Sequence, residues 1–123
     1  MSALAAKHCV PCRKGVPPLK GGSLRPFAEQ LPFWRVVEEH HLFKTFLFPD
    51  FAQALEFVNS VGAVAEQEGH HPDLSLSWGR VDVKIFTHKI DGLSESHFIL
   101  AAKIDEAHAA FLRNRNRPAK SGY

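Results

Sequence analysis

Residues 74–85, which read LSLSWGRVDVKI, carry the clearest structural signal in this sequence. Leucine or tryptophan alternates with serine from 74 to 78, and valine or isoleucine alternates with a charged residue from 81 to 85. Alternation with period two is typical of a strand that buries one face. Gly79 and Arg80 lie between the two runs and predict a turn. The stretch is therefore predicted to form a β-hairpin.

A second hairpin is predicted upstream of this one. The segments Trp34–Val37 and Leu42–Phe48 favour β-structure, and residues 38–41 join them. In the second segment Leu42, Lys44, Phe46 and Phe48 alternate with Phe43, Thr45 and Leu47, so both faces of this strand are fairly apolar.

A long amphipathic helix is predicted between the two hairpins. Asp50 is a good N-cap, the apolar stripe runs to about Glu68, and Gly69 follows as a C-terminal stop. The stripe is broad, which indicates that this helix lies on a sheet.

Two further helices are predicted at the ends of the chain. Ser23 is a candidate cap for a short helix through Leu31, and Ser94 is a candidate cap for a last helix to about Arg113. The resulting order, α-β-β-α-β-β-α, predicts an α+β fold. We expect a four-stranded antiparallel sheet with the helices packed on one face.

The chain is predicted to contain one folded domain between two irregular segments. Residues 1–22 are rich in proline and glycine and are predicted to be an extended arm. Residues 23–113 contain every predicted element, and residues 114–123 form a polar tail. A chain of 123 residues is about the size of one domain.

Charge and hydropathy exclude several classes of function. Fifteen Lys and Arg against thirteen Asp and Glu give a net charge of +2, too small to indicate specific nucleic-acid binding. No apolar run approaches the ~20 residues of a membrane span, and no signal-peptide pattern is present. A cytoplasmic protein is expected.

The two cysteines form a single Cys9-x-x-Cys12 pair in the arm. A structural zinc site normally needs four ligands, and no second pair occurs. The surrounding prolines and glycines do not fit the strand and helix of a thioredoxin-like motif. We expect reduced thiols without an assigned role.

Eight histidines are present, and three of them are placed where a site could form. His70 and His71 follow the long helix directly, and Pro72 forces His71 into an extended conformation. Adjacent side chains then point to opposite sides, so the two imidazoles cannot share one role. His88 ends the last strand, on the side opposite its apolar residues.

Three interpretations of these histidines remain open from residue chemistry alone. They can be a helix cap and a surface residue, a set of metal ligands, or a metal-free acid–base pair. A metal site is disfavoured because adjacent histidines in an extended segment diverge and no helical HExxH spacing is present. Acid–base chemistry is favoured by the pKa of imidazole, near 6.5, because one ring can donate while another accepts near neutrality.

At these residues the sequence resembles the pterin-4a-carbinolamine dehydratase family. The resemblance is carried by AEQEGHHP at 65–72, Trp78, Val81, Val83, the Thr87-His88 pair, GLS at 92–94 and AAKI at 101–104. It extends from about Leu31 to Ala107. The Cys9–Cys12 arm also resembles an extension found in bacterial members.

The resemblance implies a lyase that dehydrates 4a-hydroxytetrahydrobiopterin to quinonoid dihydropterin and water during tetrahydrobiopterin recycling. His70 and His88 would protonate the 4a-hydroxyl, one on each face, and His71 would bind the pterin and help remove the N5 proton. Further residues would lie in or beside the pterin pocket: Glu66, Gly69, Pro72, Phe86, Thr87 and Lys89. Neither a metal nor a cofactor is implied.

Partners and a rival function follow from the same resemblance. Family members form homodimers or homotetramers, and an aromatic amino-acid hydroxylase would act in the same pathway. Some relatives use this fold for protein interaction instead, as a transcription coactivator or in Rubisco assembly. Retention of His70, His71 and His88 together favours the enzyme.

Two positions depart from the family pattern. Gly69 stands where many members carry an acidic or amide residue, which removes a partner that could orient a histidine. His97 stands where an aspartate is common, three residues after Ser94. A carboxylate would suit the start of a helix there, and a histidine is expected to interact less well.

Overall fold

The computed structural model describes residues 3–9, 17–87 and 90–115, with side chains described up to residue 113. Helices and strands follow one another in the predicted order α-β-β-α-β-β-α. They are α1 (Gly21–Glu29), β1 (Arg35–Val37), β2 (His41–Leu47), α2 (Phe51–Glu68), β3 (Asp73–Ser77), β4 (Arg80–Ile85) and α3 (Glu95–Arg115). The predicted α+β fold is confirmed.

The four strands form one antiparallel sheet in the order β1-β2-β4-β3. Each hairpin pairs its own two strands, and the β2–β4 pair joins the hairpins, with Leu42 opposite Ile85 and Leu47 opposite Arg80. The strands that begin and end the sheet, β1 and β3, are therefore its edges.

The core lies between one face of the sheet and the helices. Val81, Val83 and Ile85 of β4 are completely buried, as are Phe57 and Val61 of α2. The intervening residues of β4 are only partly buried and belong to the opposite face, which we call the outer face. The alternation seen in the sequence thus corresponds to a sheet with its helices on one side.

The start of α2 and the β3–β4 turn each depend on local chemistry. Asp50 caps α2, because its side chain accepts a hydrogen bond of 2.9 Å from the Gln53 N–H, as predicted. At the β3–β4 turn, a Cβ on Gly79 would overlap the Phe48 carbonyl oxygen. The Phe48 N–H also donates to the Gly79 carbonyl at 2.7 Å, so the close approach holds this turn against the end of β2.

The start of the chain differs from its prediction. Helix α1 begins at Gly21, because Ser23 occupies the third helical position, where its Oγ accepts the Lys20 N–H at 3.0 Å. Residues 3–9 are not extended: the Lys7 N–H donates to the Leu4 carbonyl, and Leu4 is buried in the core. Burial of an apolar side chain in the core is favourable relative to its exposure to water, and the burial of Leu4 therefore holds this segment against the core. The domain boundaries stay a prediction.

Among the described residues, no helix combines the length and the apolar character that a membrane span requires.

Candidate functional site

The carboxyl end of α2 fixes the position of His70. Gly69 adopts a left-handed conformation, with φ of 62°, and the His70 N–H donates to the Ala65 carbonyl at 3.1 Å. This is the Schellman arrangement that commonly closes a helix. Glycine, asparagine and aspartate tolerate this conformation best. Gly69 therefore meets the backbone requirement of this helix end.

The His70 imidazole is held on two sides, and one of its nitrogens has no hydrogen-bond partner among the described residues. A hydrogen bond to the backbone of Ser96 raises its pKa, so His70 is the donor in that bond. Burial, followed by the charge of His71, outweighs this effect and lowers the pKa below 6.5. The Nε2 atom is buried, and none of the described residues forms a hydrogen bond with it. Nε2 is therefore the nitrogen of His70 whose hydrogen-bonding capacity the described residues leave unused.

His97 packs against the His70 ring. The two ring centroids are 4.8 Å apart and the planes meet at 78°, an edge-to-face arrangement. His97 is completely buried at the start of α3, and its Nδ1 lies 2.8 Å from the Ser94 N–H. The ring nitrogen accepts a helix-end N–H as a capping carboxylate does. The expectation that a histidine interacts less well here than a carboxylate stays a prediction.

Thr87 joins the same cluster through His97, since its Oγ1 lies 2.9 Å from His97 Nε2. Burial, together with the nearby His70, lowers the pKa of His97 to about 4. His97 is therefore neutral at physiological pH.

His71 and Glu66 form an exposed pair beside the half-buried His70. His71 Nε2 lies 3.3 Å from Glu66 Oε1, and the two side chains are 60% and 81% exposed. Such exposed pairs add little to stability. The two adjacent histidines thus occupy different environments, since His70 is half-buried and His71 is open to solvent. Pro72, also half-buried, follows them into β3.

Phe86 belongs to a different cluster, on the outer face of the sheet. Its ring lies 5.3 Å from the ring of His40 and 6.5 Å from that of His41, and Lys84 Nζ lies 4.9 Å from its centroid. Thr87, the next residue, points to the helix side. The structure therefore brings Glu66, Gly69, His70, His71, Pro72 and Thr87 together and places Phe86 apart. His88 and Lys89 lie outside the described residues.

The arm supplies contacts that sequence reasoning missed. The buried Glu68 carboxylate accepts the Cys9 N–H at 2.8 Å and lies 3.7 Å from Lys103 Nζ. The Cys9 hydrogen bond is the main reason that the pKa of Glu68 is lowered. Cys9 Sγ lies 3.5 Å from the Ser96 carbonyl. The Cys9-x-x-Cys12 motif marked this segment, but no spacing rule links it to a residue 87 positions away.

One cavity lies apart from the histidine cluster, and the described residues form no metal site. An open cavity of about 430 Å³ on the outer face is lined by Phe33, Arg35, Phe43, Lys44 and Thr45. Within residues 3–9, 17–87 and 90–113, no three His, Cys, Asp or Glu side chains converge in a way that could hold a metal ion.

Three helices and a four-stranded antiparallel sheet, in the order α-β-β-α-β-β-α, define the class of this small α+β protein. The sequence model of one family in this class, described as pterin 4 alpha carbinolamine dehydratase, matches residues 17–107. The chain belongs to this family.

Individual relatives agree with this assignment. A protein of Rubrobacter xylanophilus named "Putative pterin-4-alpha-carbinolamine dehydratase" is 59% identical over 85% of this chain and 98% of its own length. A solved structure from Brucella melitensis, titled a transcriptional coactivator/pterin dehydratase, is 28% identical with a TM-score of 0.67, covering 72% of this chain and 96% of that one. A pterin dehydratase-like protein identified as a RuBisCO assembly factor in the alpha-carboxysome is 26% identical with a TM-score of 0.52, covering 60% and 87%.

Proposed function

We propose that this protein is a 4a-hydroxytetrahydrobiopterin dehydratase that uses histidine acid–base catalysis without a metal. The observation that carries the proposal is the state of the His70 side chain. Its ring is held by Ser96 and His97, and its buried Nε2 atom has no hydrogen-bond partner among the described residues. A fixed imidazole with one nitrogen left for a ligand is the group that dehydration of a carbinolamine requires.

The reaction removes a hydroxyl from C4a and a proton from N5. In the proposed reaction, the His70 imidazolium donates its Nε2 proton to the 4a-hydroxyl, the C–O bond breaks, and water leaves. The N5 proton passes to His71, and the N5 electron pair forms the C4a=N5 double bond. One proton is donated and one is accepted, so the enzyme returns to its starting charge after exchange with solvent.

The environments of the two described histidines suit these separate tasks. Burial makes His70 a stronger acid once it is protonated, because its pKa lies below 6.5. His71 is exposed and can exchange the N5 proton with water. His88 would protonate the hydroxyl of the other 4a epimer, by analogy with the family.

Epimer-resolved kinetics test the proposal. His70→Ala and His88→Ala should each lower turnover of one 4a-hydroxyl epimer more than the other, and the double variant should lose about 10²–10⁴-fold. His71→Ala should mainly raise KM. His108→Phe is a control, since His108 packs among Phe46, Phe48 and Phe57 about 16 Å further along α3 than His97. Wild-type turnover in the His70/His88 double variant would refute histidine catalysis.

A docking or assembly function is the second candidate, and the titles of the two solved relatives favour it. It would require no turnover and would not depend on the His70 environment. The discriminating measurement is the decay of 4a-carbinolamine absorbance during phenylalanine hydroxylation. Acceleration by the wild-type protein supports the enzyme, and no acceleration leaves the docking function as the better account.

A further inference from the structure

His97 has contacts that a space-filling residue of the core would not need. Its side chain is completely buried, yet both ring nitrogens are within hydrogen-bonding distance of polar groups. The Ser94 N–H can only donate, so Nδ1 must accept. The neutral ring therefore carries its proton on Nε2, and this N–H donates to Thr87 Oγ1.

These two bonds connect points that are seven residues apart. Thr87 lies just beyond the end of β4, and Ser94 directly precedes α3. Thr87 also pairs with Gly92 in an isolated antiparallel bridge. His97 thus connects the end of the sheet to the start of the last helix, and Thr87 directly precedes His88 in the sequence.

The His97 ring also contacts the His70 ring. Its edge-to-face contact with His70 and the hydrogen bond from His70 to the Ser96 backbone come from two consecutive residues of α3. Rotation of the His70 ring would disturb both contacts. An aspartate at position 97 could accept the Ser94 N–H, but it could neither donate to Thr87 nor present a ring edge to His70.

From these contacts we infer that His97 is a positioning residue, which holds the His70 ring in one orientation and ties Thr87 to the start of α3. This inference rests on the proposed function. His97 itself touches no reacting atom in this scheme. Its effect on the reaction passes through the orientation of His70, and a small displacement of a catalytic group is sufficient to slow a reaction by up to about 10²-fold.

Three substitutions at position 97 separate positioning from packing. His97→Leu removes both hydrogen bonds and keeps an apolar side chain. His97→Asn places an amide oxygen near the Nδ1 position, and His97→Gln places an amide nitrogen near the Nε2 position. His108→Leu is the matched control, because it removes a second imidazole, which is half-buried, from the same helix.

We expect His97→Leu to lower kcat per folded molecule by about 10- to 100-fold with KM changed less than about 3-fold. The Asn and Gln variants should each lose less, because each retains one hydrogen bond. The His70 ring resonances in a ¹H–¹⁵N spectrum should shift in His97→Leu and stay in place in His108→Leu.

The outcomes that overturn the inference differ from those that overturn the proposed function. If wild-type protein accelerates dehydration but His97→Leu keeps its kcat within 2-fold and its His70 resonances, His97 is only a packing residue. If His97→Leu does not fold, wild-type kcat in both the Asn and Gln variants leads to the same conclusion. A wild-type protein that does not accelerate dehydration would instead refute the proposed function, while the His70 resonances still report whether His97 orients that ring.

Discussion

Acid should lower the free energy of unfolding partly through His97, and the size of this effect follows from the pKa of His97 in the folded state. The folded state holds the pKa of His97 at about 4, whereas an unfolded histidine titrates near 6.5. Between these values the unfolded chain binds a proton at position 97 that the folded chain does not. The stabilisation is therefore complete above about pH 6.5 and is lost as the pH falls toward 4.

The linkage relation gives the magnitude. With a pKa of about 4 in the folded state and 6.5 in the unfolded state, the loss in free energy of unfolding is about 2 kcal/mol at pH 5 and about 3 kcal/mol at pH 4. Burial also lowers the pKa values of His70 and His108, so these two residues likewise lower the free energy of unfolding as the pH falls. A comparison with a variant is therefore needed to isolate His97.

The assay is urea unfolding of wild type and His97→Gln from pH 7.5 to pH 4. Glutamine does not titrate, so its lower stability at pH 7.5 should be a constant offset. The wild-type free energy of unfolding should fall by about 2 kcal/mol more than that of the variant on reaching pH 5. Parallel curves for the two proteins over this range would show that His97 is protonated equally in both states, and the reasoning would fail.

Three further predictions concern the surroundings of the site. Gly69→Ala should lower the free energy of unfolding by about 1 kcal/mol because φ at this position is 62°. Gly69→Asn should lower it less, because asparagine tolerates this conformation. Equal losses for the two variants in urea unfolding would contradict the backbone explanation. Glu68→Gln should destabilise the fold by about 1–3 kcal/mol through the weakened Cys9 and Lys103 contacts, and an unchanged thermal midpoint would show that the arm adds no stability. Sedimentation should show a homodimer or homotetramer, because β1 and β3 are unpaired edges within one chain, and a monomer at micromolar concentration would contradict this.

Local patterns were sufficient to predict the elements. Period-two alternation around Gly79 predicted both strands of the second hairpin, and Asp50 and Gly69 marked the ends of α2 within a residue. These signals work because strand faces, caps and left-handed helix ends are determined by residues within a few positions of one another. The prediction failed at α1, where Ser23 has the capping chemistry but lies three residues inside the cap position.

The candidate site could be predicted only in part. The adjacent histidines marked it, and extended geometry at Pro72 correctly separated the environments of His70 and His71. Phe86 and Thr87 were assigned to one pocket by resemblance, yet Phe86 packs against His40 and His41 whereas Thr87 reaches His97. The roles of His70, His71 and His88 stay predictions until variants are assayed.

The sequence alone determined the order of elements, the buried face of the second hairpin and the position of His70 at the end of α2. The tertiary structure alone decided that His97 meets Thr87 and His70, and that Cys9 reaches Glu68 and Ser96. The reason is physical. Periodicity and capping are short-range properties of the chain, whereas the burial that lowers the pKa of His97 exists only after α2, α3 and the end of β4 have packed together.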